Sequence, residues 1–187
     1  MKKSILFLSA IIVCNLIATA QLPKHYRCIK TKQSIKIDGR IEEAAWEKAN
    51  WTDSFLDIEG DKLPHPAYET KVKMLWDDEY LYIAAYLEEP HIWATLQQRD
   101  TVIFYDNDFE VFIDPDSDGK FYAELEINAF GTEWDLLLNK PYSNRGIALN
   151  QYDIKGLKTA VYIEGSLNNP SDKDTFWSVE RAIRFRS

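Results

Sequence analysis

Asp106-Asn-Asp-Phe-Glu-Val-Phe-Ile-Asp-Pro-Asp-Ser-Asp-Gly119, followed by Phe121-Tyr-Ala-Glu-Leu-Glu-Ile-Asn-Ala-Phe-Gly-Thr-Glu-Trp-Asp135, is the most informative stretch of this chain. Apolar and polar residues alternate, which is the period of a β-strand. The pattern predicts two strands joined by an acidic loop, and a third strand after the Gly131 turn. In the first, Phe109, Val111 and Ile113 share one face, with Asp108, Glu110 and Phe112 on the other. In the second, Phe121, Ala123, Leu125 and Ile127 oppose Tyr122, Glu124, Glu126 and Asn128. One face is apolar enough to be core. The other carries carboxylates, an amide and aromatics, the equipment of a surface that binds polar rings.

Thr70–Trp76 and Tyr80–Leu87 read as a hairpin turned at Asp77-Asp78-Glu79. Val72, Met74 and Trp76 share a face, as do Leu81, Ile83, Ala85 and Leu87. Tyr80, Tyr82 and Tyr86 on the opposite face predict a strand covered on both sides. Ser34–Asp38 and, more weakly, Trp51–Ile58 also alternate. Leu157–Glu164 and Thr175–Ile183 supply two further strands around an Asn-, Ser- and Asp-rich loop. Ile41, Ala45, Trp46 and Ala49 recur at helical spacing and predict one short amphipathic helix with Trp46 in the core. Ile92–Tyr105 reads as a long loop with a helical turn. Strands at short intervals, with one helix near the start, predict an all-β fold: an antiparallel β-sandwich, immunoglobulin-like or jelly-roll-like.

Lys2 and Lys3 precede an apolar run from Ile5 to Ile17, which ends in Ala18-Thr19-Ala20. This is the form of a signal peptide over residues 1–20, cleaved before Gln21. Cys14 offers a lipoprotein alternative, but Val13 is bulky for that site and the apolar run continues past it. The protein is thus expected to be exported, to the periplasm or the extracellular space, as one domain over residues 21–187. After cleavage Cys28 is the only cysteine, so no intramolecular disulfide is expected. No second apolar segment is long enough to span a bilayer, so no membrane association is expected after cleavage. The net charge of -8 argues against nucleic acid and anionic membranes. It suits neutral ligands such as sugars, and bound calcium. Composition leaves the oligomeric state open.

Several blocks, in order, resemble the family 9 carbohydrate-binding modules of the DOMON-like group. They are Ile37-Asp-Gly-Arg-Ile-Glu-Glu-Ala-Ala-Trp46, Val72-Lys-Met-Leu-Trp-Asp-Asp-Glu-Tyr-Leu-Tyr-Ile83, Asp106 to Asp114, Glu126 to Asp135, and Trp177-Ser-Val-Glu180. Asp135-Leu-Leu-Leu-Asn-Lys-Pro-Tyr142 resembles the branch common in exported proteins of Bacteroides-type bacteria. The resemblance implies non-catalytic binding of an oligosaccharide or polysaccharide between two aromatic rings, with structural calcium usual. By position it implies sugar contacts at Glu110, Asn128 and Glu126, and places the first stacking ring at Phe104 or Tyr105, where the family has tryptophan. Arg99 lies nearby in sequence and joins these candidates. The family usually continues past the Trp177 strand, where this chain reads Arg181-Ala-Ile-Arg-Phe-Arg-Ser187. The last strands, with the second stacking ring, are therefore expected to be missing.

Asp114, Asp116 and Asp118, with Gly119, have the spacing that places three carboxylates around one calcium. The alternative is an acidic hairpin turn; Leu125 at the twelfth position excludes an EF-hand. An enzyme acting on glycans would use a pair such as Glu110 and Glu126, but no nucleophile, phosphate-loop or zinc motif accompanies them. Haem-binding electron transfer, known in some DOMON-like domains, needs axial ligands. Met74 reads as core and His25, His65 and His91 have no supporting context, so no haem is expected.

Overall fold

β-Branched and aromatic residues alternating along Thr70–Trp76 (β2) and Tyr80–Glu88 (β3) form a hairpin, and Phe176–Arg184 (β9) adds to its far side. A computed structural model describes residues 24–185. The predicted signal peptide, its cleavage site and Cys14 lie outside these residues. Ile29–Lys30 (β1) pairs parallel to β2, and Lys158–Glu164 (β8) pairs with β9. These make a five-stranded sheet of order β1-β2-β3-β9-β8. Asp108–Ile113 (β4), Tyr122–Asn128 (β5), Glu133–Leu138 (β6) and Ala148–Leu149 (β7) make a four-stranded antiparallel sheet in chain order.

The sheets pack face to face as the predicted β-sandwich. Val72, Ile83, Ala85, Trp177, Val179 and Ile183 of the first meet Phe109, Leu125 and Ile127 of the second. Met74 is packed against this core. Each large side chain so buried contributes roughly 1.5–3 kcal/mol. The outer face of the five-stranded sheet is covered too. Leu75, Tyr82, Ala84 and Ala182 lie under Ala45, Trp46 and Ala49, with Ile35, Ile37 and Ile41 alongside. That accounts for Tyr80 and Tyr82 opposite the hairpin's core face, while Tyr86 lies against Phe176.

Three expectations change. The helix over Ile41–Ala49 is a single 3-10 turn, Trp46–Lys48. One turn suffices to set Ala45, Trp46 and Ala49 on the sheet, and a helix this short repays little of its nucleation cost. Ser34–Asp38 and Trp51–Ile58 are not strands. Ile35 and Ile37 dock on a sheet face instead of joining a ladder, and Thr52 and Phe55 make only isolated backbone bonds to Val72 and Thr70. Phe121 is not on the core face: it precedes β5 with φ 48° and is 67% exposed.

Gly39 is held where the segment covering the five-stranded sheet crosses β8. Its φ is +85°, and a Cβ there would stand 2.5 Å from the Tyr162 nitrogen, so no other residue fits without displacing backbone.

Candidate functional site

Cross-strand register assembles the polar face predicted from alternation. Glu110 pairs with Glu126 and Glu126 with Trp134, giving one row across β4, β5 and β6. On one side Asp108 pairs with Asn128; on the other Phe112 pairs with Glu124, and Glu124 with Leu136. All of these leave the four-stranded sheet away from the main core.

The segment before β4 roofs part of this face. Ile103, fully buried, packs with Trp134, Leu136 and Leu138. The 3-10 turn Ile103–Tyr105 then presents Phe104, 53% exposed, and Tyr105, 79% exposed. The Phe104 ring lies 6.4 Å from Trp134 and 5.2 Å from Tyr105, the latter edge-on. Phe112 and Tyr122 form a second aromatic pair at 6.3 Å. Tyr142, in a loop turn, donates its hydroxyl to Glu124 at 3.3 Å. Trp134 is buried in this satellite cluster and not between the sheets.

Asp106 clasps the roof in place. Its Oδ2 accepts from the backbone N–H groups of Thr95 and Leu96 and from Asn128 Nδ2, at 2.8–2.9 Å. Burial pushes its carboxyl up, but these bonds outweigh it and hold the group below its ordinary value. Asn128 has no exposed surface. Its amide nitrogen donates to Asp106 and the Leu96 carbonyl, and its oxygen accepts from the N–H groups of Phe130 and Thr132.

The carboxylates of the face are crowded and shielded. Burial, then the Glu110 charge, pushes Asp108 up to about 7 and Glu124 likewise to about 7. Burial, followed by Asp108, Glu110 and Glu124, pushes Glu126 up to about 8. Glu110 is raised by burial alone and keeps an exposed side chain.

The structure thus brings Phe104, Tyr105, Glu110, Glu126 and Asn128 to one face, with Glu110 and the two rings open to solvent. It does not bring Arg99 there. Arg99 donates to Glu133, Asp135 and Asp153, and Glu133 and Asp135 leave β6 on the side opposite Trp134. Asp108, Phe112, Tyr122 and Glu124 share the face, as alternation predicts, although alternation does not mark them as site residues. Tyr142 has no sequence signal, since its loop position has no period.

Asp114, Asp116 and Asp118 each offer a carboxylate oxygen within 4.8 Å of the others, so they fit one calcium. The loop also holds itself together, with Ser117 and Gly119 N–H groups donating to Asp114.

The Carbohydrate family 9 binding domain-like profile matches residues 37–143, which include the hairpin, the whole polar face and Tyr142. The chain belongs to this family. Its fold is similar to that of a family 9 carbohydrate binding module from Caldicellulosiruptor kristjanssonii, solved in complex with glucose and with cellotriose. For the glucose complex the TM-score is 0.56 at 16% identity, covering 85% of this chain and 69% of that one. For the cellotriose complex it is 0.54 at 17%, covering 86% and 68%. A Bacteroides uniformis protein proposed to bind carbohydrate gives 0.61 at 13%, covering 84% and 71%. No curated protein matches the chain. Among the described residues of this family 9 domain, no helix is long and apolar enough to cross a membrane.

Proposed function

We propose that this family 9 domain is a non-catalytic, exported module that binds oligosaccharides or polysaccharides on the polar face of its four-stranded sheet. The observation that carries this reading is the juxtaposition of exposed Glu110 with the Phe104–Tyr105 ring pair on one face. A pyranose offers an apolar C–H face to a ring and hydroxyls to a carboxylate. Phe104 and Tyr105 stack, Glu110 accepts from hydroxyls, and Asn128 and Asp106 position the rings from beneath. Glucose and cellotriose on the Caldicellulosiruptor module support β-glucan fragments as the first ligands to try.

A shallow face with few hydrogen bonds suits micromolar to millimolar dissociation constants, roughly −8 to −4 kcal/mol. Titration calorimetry against plant-wall and host-glycan oligosaccharides tests the reading, with a hydrolysis assay run on the same panel. Binding without cleavage is expected; no binding by the folded protein would overturn it. The Asp114, Asp116 and Asp118 loop is proposed to hold a structural calcium that stiffens the β4–β5 turn. N-terminal sequencing of secreted protein tests export, with Gln21 expected first.

A further inference from the structure

Polar atoms at the centre of the sheet face lack partners. Glu126 is 1% exposed, and its Oε2 accepts no hydrogen bond. Asp108 Oδ2 is likewise buried and unpartnered. Trp134, 7% exposed, stands across the β5–β6 pair from Glu126 and has no acceptor for its indole N–H. Buried polar atoms are nearly always satisfied by protein, water or a ligand. Three orphans on one small face, two acceptors and a donor, point to a ligand there.

The acceptors fit a cation. Asp108, Glu110 and Glu126 each offer an oxygen, and these oxygens lie within 4.8 Å of one another. Two ligands of one calcium stand at most twice the metal–oxygen distance apart, and that distance is about 2.3–2.6 Å. The set is all-oxygen and anionic, which favours a hard divalent ion over zinc or copper. Asp38, Glu43 and Glu180 also approach one another, but both Glu180 oxygens already accept from Asp38, Gly39 and Trp46.

We propose that Asp108, Glu110 and Glu126 bind a calcium-like divalent cation on the floor of the sugar-binding face, and that hydroxyls of the bound sugar complete its coordination. The second half rests on the carbohydrate-binding reading above. Calcium takes six to eight oxygens, more than the three carboxylates supply if each gives one. Glu110 is the exposed ligand, so the remaining positions open toward solvent. The Trp134 N–H then donates to an oxygen held by the ion.

The test is calcium titration of the purified protein after chelator treatment, by calorimetry and thermal denaturation. Wild type is compared with E126Q, with D108N, and with a D116N/D118N chain that removes the acidic loop from the count. Calcium binding and its rise in Tm should persist in the loop variant. E126Q and D108N should weaken it by roughly 10–100-fold or more; D108N decides the matter if E126Q fails to fold. Wild-type calcium affinity in both face variants, or loss of all calcium response with the loop, overturns the site. Cello-oligosaccharide binding is then measured with chelator and with calcium restored. Equal binding in both overturns the ion's part in recognition. Calcium binding at Asp108 and Glu126 without any sugar binding leaves the ion site standing and overturns the carbohydrate reading instead.

Discussion

Trp46 donates its indole N–H to Glu180 Oε1 at 2.7 Å, across 134 positions of sequence. The same carboxylate takes the Asp38 and Gly39 N–H groups on its other oxygen, and Ser178 donates to the Gly39 carbonyl. The segment over the five-stranded sheet is therefore fastened to β9 by a buried polar knot as well as by apolar contact. Trp46→Phe keeps the ring and deletes the donor. It should cost about 1–3 kcal/mol, the penalty of a buried acceptor left short of a partner. Urea denaturation measures it, and an unchanged midpoint would show that the bond contributes nothing.

Glu180 also sets a pH dependence. Burial pushes its carboxyl up to about 7, against the pull of the Asp38, Trp46 and Gly39 bonds, from an ordinary value of 4.5. The folded state therefore holds this proton more tightly than the unfolded chain does. The resulting stability is fully present below pH 4.5 and is lost as pH rises through 7. Asp108, Glu124 and Glu126 carry the same sign. With chelator present, Tm should fall between about pH 5 and pH 8. A Tm that climbs across this window would contradict the assignment.

On the binding face, Glu110→Ala should weaken oligosaccharide binding by about 1–3 kcal/mol, because hydroxyls lose a charged acceptor. Tyr105→Ala should cost about 0.5–1.5 kcal/mol through lost stacking. Both side chains are exposed, so with chelator present Tm should barely move in either variant. A large Tm loss in either variant would make it uninformative about ligand contact and would argue for a structural role.

Asn128→Ala should behave in the opposite way. It removes the four hydrogen bonds of a buried amide and frees the roof from β5, so stability should drop by at least about 1–3 kcal/mol. Amide exchange should speed up first at Thr95 and Leu96, whose N–H groups depend on Asp106. Unchanged exchange there would mean that the clasp does not need its amide.

For the acidic loop, calcium should raise Tm by mass action on the native state. Asp116→Ala with Asp118→Ala should remove that part of the rise which belongs to the β4–β5 turn. An undiminished rise in this variant would place every responsive calcium elsewhere.

The strands that carry the face were legible because each has one apolar side and one polar side. Alternation in Asp108–Ile113 and Tyr122–Asn128 fixes both the faces and the register that joins Glu110 to Glu126. Ile35 and Ile37 alternate just as well, yet they answer to a sheet face above them and form no ladder. Alternation also gives the side on which Asn128 lies, but not its depth, which depends on a roof folded from residues 95–106. Arg99 stands close to Phe104 in sequence, yet it turns toward carboxylates on the other side of β6. Sequence proximity carries no information about which way a loop passes an edge.

The turn at Ile103–Tyr105 is anchored by Ile103 below and by Asp106 behind, while its two rings project freely. Positions 104 and 105 can therefore be exchanged for larger, smaller or polar residues with little penalty to folding. Ligand preference in such a scaffold is free to drift on these two positions while the sandwich beneath stays the same. A related chain with tryptophan at either one should share the framework and differ in the sugars that it selects.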